Sequence, residues 1–279
     1  MHLDAKVQQF QYQQQSIQFY EAGQRSQHPT LVLIHGTGGN TDRHFNYIFP
    51  MLAVHQRVLS IDLYTPDCDD LEVHDFSVQV ASLIAEQIAS DEKITLVGYS
   101  LGAVIAAQTA AELGERISRL ILLAGWAKTS SVQQLRNHVW QTLFEERSQA
   151  LAHFINYCLY SDQYLSLRNE QQVLDLARFV TPSKDAAKQR LLNCRIDITE
   201  KLNQISAETL IVACTQDRMI PYAQGKLLFA GIRNSRYSEI QSGHALYIEA
   251  PAEVVRLINL FSQHAERYHP HSHLAAVMP

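Results

Sequence analysis

Ile94-Thr95-Leu96-Val97-Gly98-Tyr99-Ser100-Leu101-Gly102 joins an apolar run to an alanine-rich segment through the pattern Gly-x-Ser-x-Gly. A short, nearly continuous apolar run fits a strand covered on both faces. The segment over residues 101–113, closed by Gly114, fits a helix with a glycine stop. The serine therefore falls in the turn between strand and helix. Glycines at 98 and 102 leave room where a Cβ would collide with the crossing elements. The turn lifts the serine above the sheet at a helix N-terminus, where free N–H groups and the helix dipole favour negative charge.

The same rhythm extends in both directions. Leu31-Val32-Leu33-Ile34, Val58-Leu59-Ser60-Ile61, Leu120-Ile121-Leu122-Leu123 and Leu210-Ile211-Val212-Ala213 are further buried-strand runs, and residues 235–240 form a last strand. Residues 76–90 place Val80, Leu83, Ile84 and Ile88 on one helical face, and residues 251–263 do so with Val254, Val255, Ile258 and Leu260 behind Pro251. Alternation of this kind predicts a doubly wound α/β sheet, mostly parallel. Residues 7–23 alternate polar and apolar as an antiparallel hairpin does. Between 127 and 198 only helical patterns occur: Val132, Leu135, Val139 and Leu143, then Leu151, Phe154, Ile155, Cys158 and Leu159, then Val173, Leu174, Leu176, Ala177 and Val180. The expected organisation is a core of residues 1–126 and 199–264, a helical cap of residues 127–198 over the C-terminal sheet edge, and a loose tail of residues 265–279 carrying His269-Pro270-His271-Ser272-His273.

Composition narrows the function classes. The 279 residues are 46% apolar and 18% charged, with 23 Lys+Arg against 28 Asp+Glu and a net charge of -5. That balance suits a globular chain, and the lack of a basic face removes nucleic acid and anionic membrane as expected partners. The longest apolar block, residues 120–127, is far short of the ~20 residues that span a bilayer. Met1-His2-Leu3-Asp4-Ala5-Lys6 lacks the apolar h-region of an export signal. Cys68, Cys158, Cys194 and Cys214 form no CxxC pair, so reduced thiols, a cytoplasmic location and no metal site are expected. The histidine-rich tail is poor evidence for a metal site.

A serine hydroxyl is a weak nucleophile at neutral pH and calls for a histidine base oriented by an acid. In the chain order Ser, Asp, His, the candidates are Asp217, three residues past a buried strand, and His244, in Ser242-Gly243-His244 between the last strand and the last helix. Both fall at the sheet edge that carries Ser100, where open α/β sheets bind ligands. Asp217 as a simple turn acid is the bland alternative. Asp197 precedes its strand and starts at the wrong edge, and His264, His269, His271 and His273 lie in the last helix or tail. Two backbone donors should hold an oxyanion: Thr37, in His35-Gly36-Thr37-Gly38-Gly39 after the first buried strand, and Leu101, next to the serine. Read alone, that glycine loop could bind a dinucleotide with Asp62 as ribose acid, but Thr41 stands where the third glycine belongs.

Together the His-Gly-Thr-Gly-Gly loop, the Gly-Tyr-Ser-Leu-Gly turn, Asp217 with Pro221 after it, and Gly243-His244-Ala245-Leu246-Tyr247-Ile248-Glu249-Ala250-Pro251 resemble the α/β-hydrolase superfamily over residues 7–263. The resemblance implies an eight-stranded, mostly parallel sheet, a cap after strand six, no cofactor and no metal. The size, Gly125-Trp126 and compact cap look most like enol-lactonases, aminoacrylate hydrolases, esterases and acyl-homoserine lactonases of this fold. The expected activity is hydrolysis of a small-molecule carboxylic ester or lactone through an acyl-enzyme, with catalytic Ser100, Asp217 and His244 and oxyanion donors Thr37 and Leu101. The same three residues also serve C–C, amide, carbamate or thioester cleavage, and a non-catalytic receptor uses the same fold. Gly36, Gly38, Tyr99, Trp126, Met219 and Leu246 are expected around the substrate. Trp140, Phe144, Phe154, Tyr157 and Tyr160 of the cap would add apolar surface suited to an uncharged acyl chain. Oligomeric state is not readable, and the acidic segment 62–70 reads as a solvated loop.

Overall fold

The computed structural model describes residues 5–275. The strands in chain order are β1 (Lys6–Tyr12), β2 (Gln15–Ala22), β3 (Thr30–Ile34), β4 (Val58–Ile61), β5 (Ile94–Tyr99), β6 (Arg119–Leu123), β7 (Glu208–Cys214), β8 (Ser235–Ile240) and β9 (His273–Leu274). The helices are α1 (Thr41–Phe45), α2 (Ile48–Ala53), α3 (His74–Gln87), α4 (Leu101–Leu113), α5 (Ser131–Glu145), α6 (Ala150–Leu159), α7 (Asp162–Ser166), α8 (Glu170–Asp175), α9 (Lys184–Asn193), α10 (Ala223–Gly231), α11 (Leu246–Glu249) and α12 (Pro251–His264). One sheet runs β1-β2-β4-β3-β5-β6-β7-β8-β9. The first hairpin is antiparallel and joins β4 antiparallel, while β3 to β9 pair in parallel. Among the described residues no helix is long and apolar enough to cross a membrane.

Strand residues alternate between two cores, which is why the runs are apolar throughout. Val32 and Ile34 pack with Val80, Leu83 and Val104 of α3 and α4 on one face. Leu31 and Leu33 pack with Phe49, Leu52, Leu257 and Phe261 of α2 and α12 on the other. Burial on both faces stabilises each such side chain by about 1.5–3 kcal/mol and fixes the register, since a one-residue slip would exchange the two faces.

The structure departs from the sequence reading in four places. A ninth strand joins the sheet: Leu274 is buried, the Ser272 carbonyl accepts from the Tyr237 N–H (3.1 Å), and the Leu274 carbonyl accepts from the Ser238 hydroxyl (2.8 Å). This part of the tail is therefore held on the sheet edge rather than loose; residues 276–279, like residues 1–4 of the N-terminal reading, lie outside the described residues. Segment 62–70 is only partly solvated. Asp62 accepts from the N–H and hydroxyl of Thr41 (both 2.7 Å), Thr65 accepts from Gln189 of α9 (2.8 Å), and Asp67 pairs with Lys188; Asp67 to Asp70 are exposed.

The third departure is a backbone bridge at the neck of a segment that reads as helical throughout, formed by Lys128 and Asp197, the acid that the sequence reading places at the wrong edge. The Asp197 carboxylate meets Lys128 (2.7 Å) where the chain enters and leaves the helical segment through this short antiparallel bridge. The Thr129 N–H to Ile196 carbonyl and Ile198 N–H to Ala127 carbonyl bonds (2.9 Å each) close that neck. Fourth, α5 is turned over. Val132, Leu135 and Val139, read as its buried stripe, are exposed, while Gln133, Asn137 and Trp140 face inward. The physical reason is what lies beneath: α5 roofs a cavity of mixed polar and apolar lining rather than a packed core, so its apolar stripe has no core to enter.

Candidate active site

The serine turn is enforced by its two glycines. A Cβ at Gly98 would stand 2.2 Å from the Gly102 carbonyl oxygen, and one at Gly102 would stand 2.1 Å from that of Ile34. With strand and helix pressed together, Ser100 takes φ +55°, ψ −121°, a strained backbone for a residue with a side chain, and heads α4.

The ends of β5, β7 and β8 then meet. His244 Nε2 lies 2.9 Å from Ser100 Oγ, and His244 Nδ1 lies 2.7 Å from Asp217 Oδ2. Asp217 is nearly inaccessible, and its other oxygen accepts the N–H groups of Met219 (2.7 Å) and Ile220 (2.8 Å). It is thus both the turn acid and the partner of His244, and both of its carboxylate oxygens are engaged. The Tyr99 hydroxyl donates to the His244 carbonyl (3.1 Å); burial raises its pKa well above the ordinary phenol, so it stays a neutral donor. A serine, an imidazole and a carboxylate in this sequence can relay a proton and orient the imidazole while doing so.

The glycine loop is fixed by its own His35 and by side chains from outside the motif. His35 Nε2 accepts the Leu63 N–H (2.9 Å), so its Nδ1 carries the proton and donates to the Gly36 carbonyl (2.9 Å). His44 Nδ1 accepts the Gly36 N–H (3.1 Å) while its ring packs against Tyr99 and Tyr247. Burial lowers the pKa of both histidines, and for His44 the neighbouring His35, His244 and Arg43 lower it further, which keeps the accepting nitrogens free of protons. From the other side α9 reaches down: Asn193 donates to Thr37 Oγ1 (2.9 Å), and Gln189 accepts the Gly38 N–H (2.8 Å). Glu249 ties the His244 loop to the cap by accepting from Gly243 N–H (3.1 Å), Ser161 N–H (3.0 Å) and the Ser161 hydroxyl (2.5 Å). His44 in α1 and Gln189 and Asn193 in α9 stand outside every motif, and Glu249 in α11 belongs to the 243–251 stretch; the fold brings the three helices together.

A cavity of about 680 Å³ opens over Ser100 and His244. Thr37, Gly38, Tyr99, Trp126 and Met219 line it. Gly36 does not; it sits under the serine, where a Cβ would stand 3.0 Å from that of Ser100. The Leu101 side chain is buried below the turn, and Leu246 is fully buried, because the chain enters α11 immediately after His244 and presents Tyr247 and Ile248 to the cavity instead. Of the five cap aromatics expected there, Trp140 and Tyr160 reach the cavity, joined by Tyr164 and Phe179; Phe144 stacks on Trp140, and Phe154 packs against the core. Tyr157 is exposed on the surface. Among the described residues no group of three or more His, Cys, Asp or Glu is arranged to hold a metal.

Residues 31–257 match the alpha/beta hydrolase family. A pyrrolizixenacetamide deacetylase from Xenorhabdus hominickii is 28% identical over 242 residues, which cover 84% of this chain and 90% of that protein. A putative carbamate hydrolase, RutD, from Escherichia coli O81 (strain ED1a) is 26% identical over 239 residues, 80% of this chain and 87% of the relative. Among solved structures, the enol-lactonase from Burkholderia xenovorans LB400 superposes with a TM-score of 0.73 at 21% identity, covering 88% of this chain and 96% of that one.

Proposed function

The chain belongs to the alpha/beta hydrolase family, and from that premise we propose that it is a serine hydrolase cleaving a small-molecule ester or lactone through Ser100, His244 and Asp217. The observation that carries this reading is His244 bridging Ser100 (2.9 Å) and Asp217 (2.7 Å) at a strained turn that opens into a cavity. His244 takes the Ser100 proton as Oγ attacks the carbonyl carbon. Asp217 holds the imidazole tautomer and stabilises the imidazolium. The backbone N–H groups of Thr37 and Leu101 receive the oxyanion, each such donor lowering the barrier by about 2.7–4 kcal/mol. His244 then protonates the departing alkoxide, and water activated by the same ring releases the acid.

A second reading, amide or carbamate cleavage by the same residues, is favoured by the names of the two relatives, one a deacetylase and one a putative carbamate hydrolase. The chemistry differs only in the leaving group, which His244 must protonate more fully when it is an amine. A matched panel separates the readings: p-nitrophenyl acetate and butyrate, γ- and δ-lactones, and p-nitroacetanilide. Ester or lactone turnover above anilide turnover supports the first reading. Anilide turnover that equals or exceeds the esters moves the assignment to the amide class, and no turnover of any member removes both.

A further inference from the structure

The cap wall of the cavity carries two arginines with no acid to neutralise them. Arg136 of α5 donates to Asn137 Oδ1 (2.7 Å) and approaches the Met219 sulfur (2.6 Å). The guanidinium carbon of Arg190 of α9 lies 4.4 Å from the centre of the Trp140 ring. No ion pair to either arginine occurs among the described residues. The Nε–H of each is closed off from solvent and finds no acceptor, and the same is true of Trp140 Nε1 and Asn156 Nδ2. All four residues line the cavity. Asp217, the carboxylate whose charge acts on Arg136, is committed to His244 and the Met219 turn, and the one acid lining the cavity, Asp42, is exposed to solvent.

Burial lowers the pKa of both guanidinium groups, and the charge of Arg136 adds to this at Arg190, which falls to about 9; both remain cationic at neutral pH. A cation taken from water without a counter-charge is costly, and buried donors without acceptors add to that cost. An anion with several acceptor oxygens would relieve both at once. The donors come from the middle of α5 and α6 and the last half of α9, so no helix N-terminus contributes, as one commonly does where phosphate binds. Planar guanidinium forks suit a carboxylate.

We propose that Arg136 and Arg190 form a recognition subsite for a carboxylate carried by the substrate, so that the compound cleaved is an acid-bearing ester, lactone or amide rather than a neutral one. This replaces the uncharged acyl chain expected from sequence. It rests on the hydrolase reading only for which bond is cut; recognition of the anion requires no turnover.

Two assays keep these apart. In turnover, mono-p-nitrophenyl esters of succinate, glutarate and adipate are compared with the neutral butyrate, valerate and hexanoate esters. At least one acid member is expected to exceed its neutral partner in kcat/KM by about 30-fold, chiefly through KM, because a charged hydrogen bond to arginine is being added. In binding, succinate, glutarate, adipate and inorganic phosphate are titrated calorimetrically into the Ser100→Ala protein. One dicarboxylate is expected to bind, with about 30-fold weakening in the Arg136→Gln/Arg190→Gln background and partial recovery with Arg190→Lys. Either result supports the subsite, and dicarboxylate binding with no ester turnover would sink the hydrolase reading alone. Equal handling of acid and neutral members with no dicarboxylate bound, a preference untouched by the double substitution, or phosphate bound more tightly than every dicarboxylate overturns the proposal.

Discussion

Acidifying the protein from pH 7 to pH 5 should destabilise it through two histidines that take no direct part in the proposed chemistry. His35 and His44 each use a ring nitrogen to accept a backbone N–H, from Leu63 and Gly36 respectively, and a proton placed on that nitrogen would face a donor. His35 is buried and His44 half-buried, and the pKa of each is lowered from 6.5. The unfolded chain therefore takes up protons near pH 6.5 while the folded chain does not, and stability falls as the pH drops below that value. For a ring that stays neutral throughout, the loss between pH 7 and 5 integrates to ~2 kcal/mol, so the pair sets a ceiling of ~4 kcal/mol. His44 borders the cavity and should fall short of its share. Carboxylates enter later: at Glu21 burial raises the pKa but Arg57, with Gln8 and Lys6, more than reverses it, so its contribution is lost below pH 4.5. Urea denaturation at pH 7, 6, 5.5 and 5 measures the effect. His44→Gln, whose amide oxygen can still accept the Gly36 N–H, should flatten the dependence. A constant stability across that range, or an unaltered slope in His44→Gln together with His35→Asn, would refute the reasoning.

Three other outcomes follow from the geometry. Asp217→Asn, which leaves the shape but disturbs the His244 tautomer, should lower kcat by about 10⁴-fold with little change in urea midpoint; steady-state kinetics on the best ester checks this. Gly102→Ala drives a Cβ to 2.1 Å from the Ile34 carbonyl, so strand and helix must part; a stability loss of about 3 kcal/mol and a collapse of activity in the remaining folded protein are expected, read by urea midpoint and single-turnover rate. Deleting residues 269–279 removes the buried Leu274 and uncovers the β8 edge, with an expected loss of about 2 kcal/mol and concentration-dependent self-association in sedimentation.

The features legible in sequence share one cause. Strands β3 to β7 are covered on both faces, so their alternate side chains enter different cores and the run is apolar without interruption. Ser100, Asp217 and His244 lie at strand ends on one edge, and the topology brings them together. What escaped depends on contacts without a pattern. The β9 pairing is made by the backbone of polar residues such as His271 and Ser272, which show no period. On α5 the apolar stripe is real, but the helix roofs a cavity instead of a packed core and turns its opposite face inward. Leu246 and Tyr247 exchange roles through one residue of helical rotation. Arg136 and Arg190 are 54 positions apart and acquire meaning only as two helices of one roof.

The central claim is that Ser100 is an activated nucleophile, and a fluorophosphonate probe reads that state directly. The account predicts stoichiometric labelling of the folded wild-type protein at Ser100, mapped by peptide mass spectrometry, abolished in Ser100→Ala and slowed in His244→Ala. Folded wild-type protein that resists the probe, or labelling that persists unchanged in Ser100→Ala, would contradict it and leave the cavity as that of a receptor.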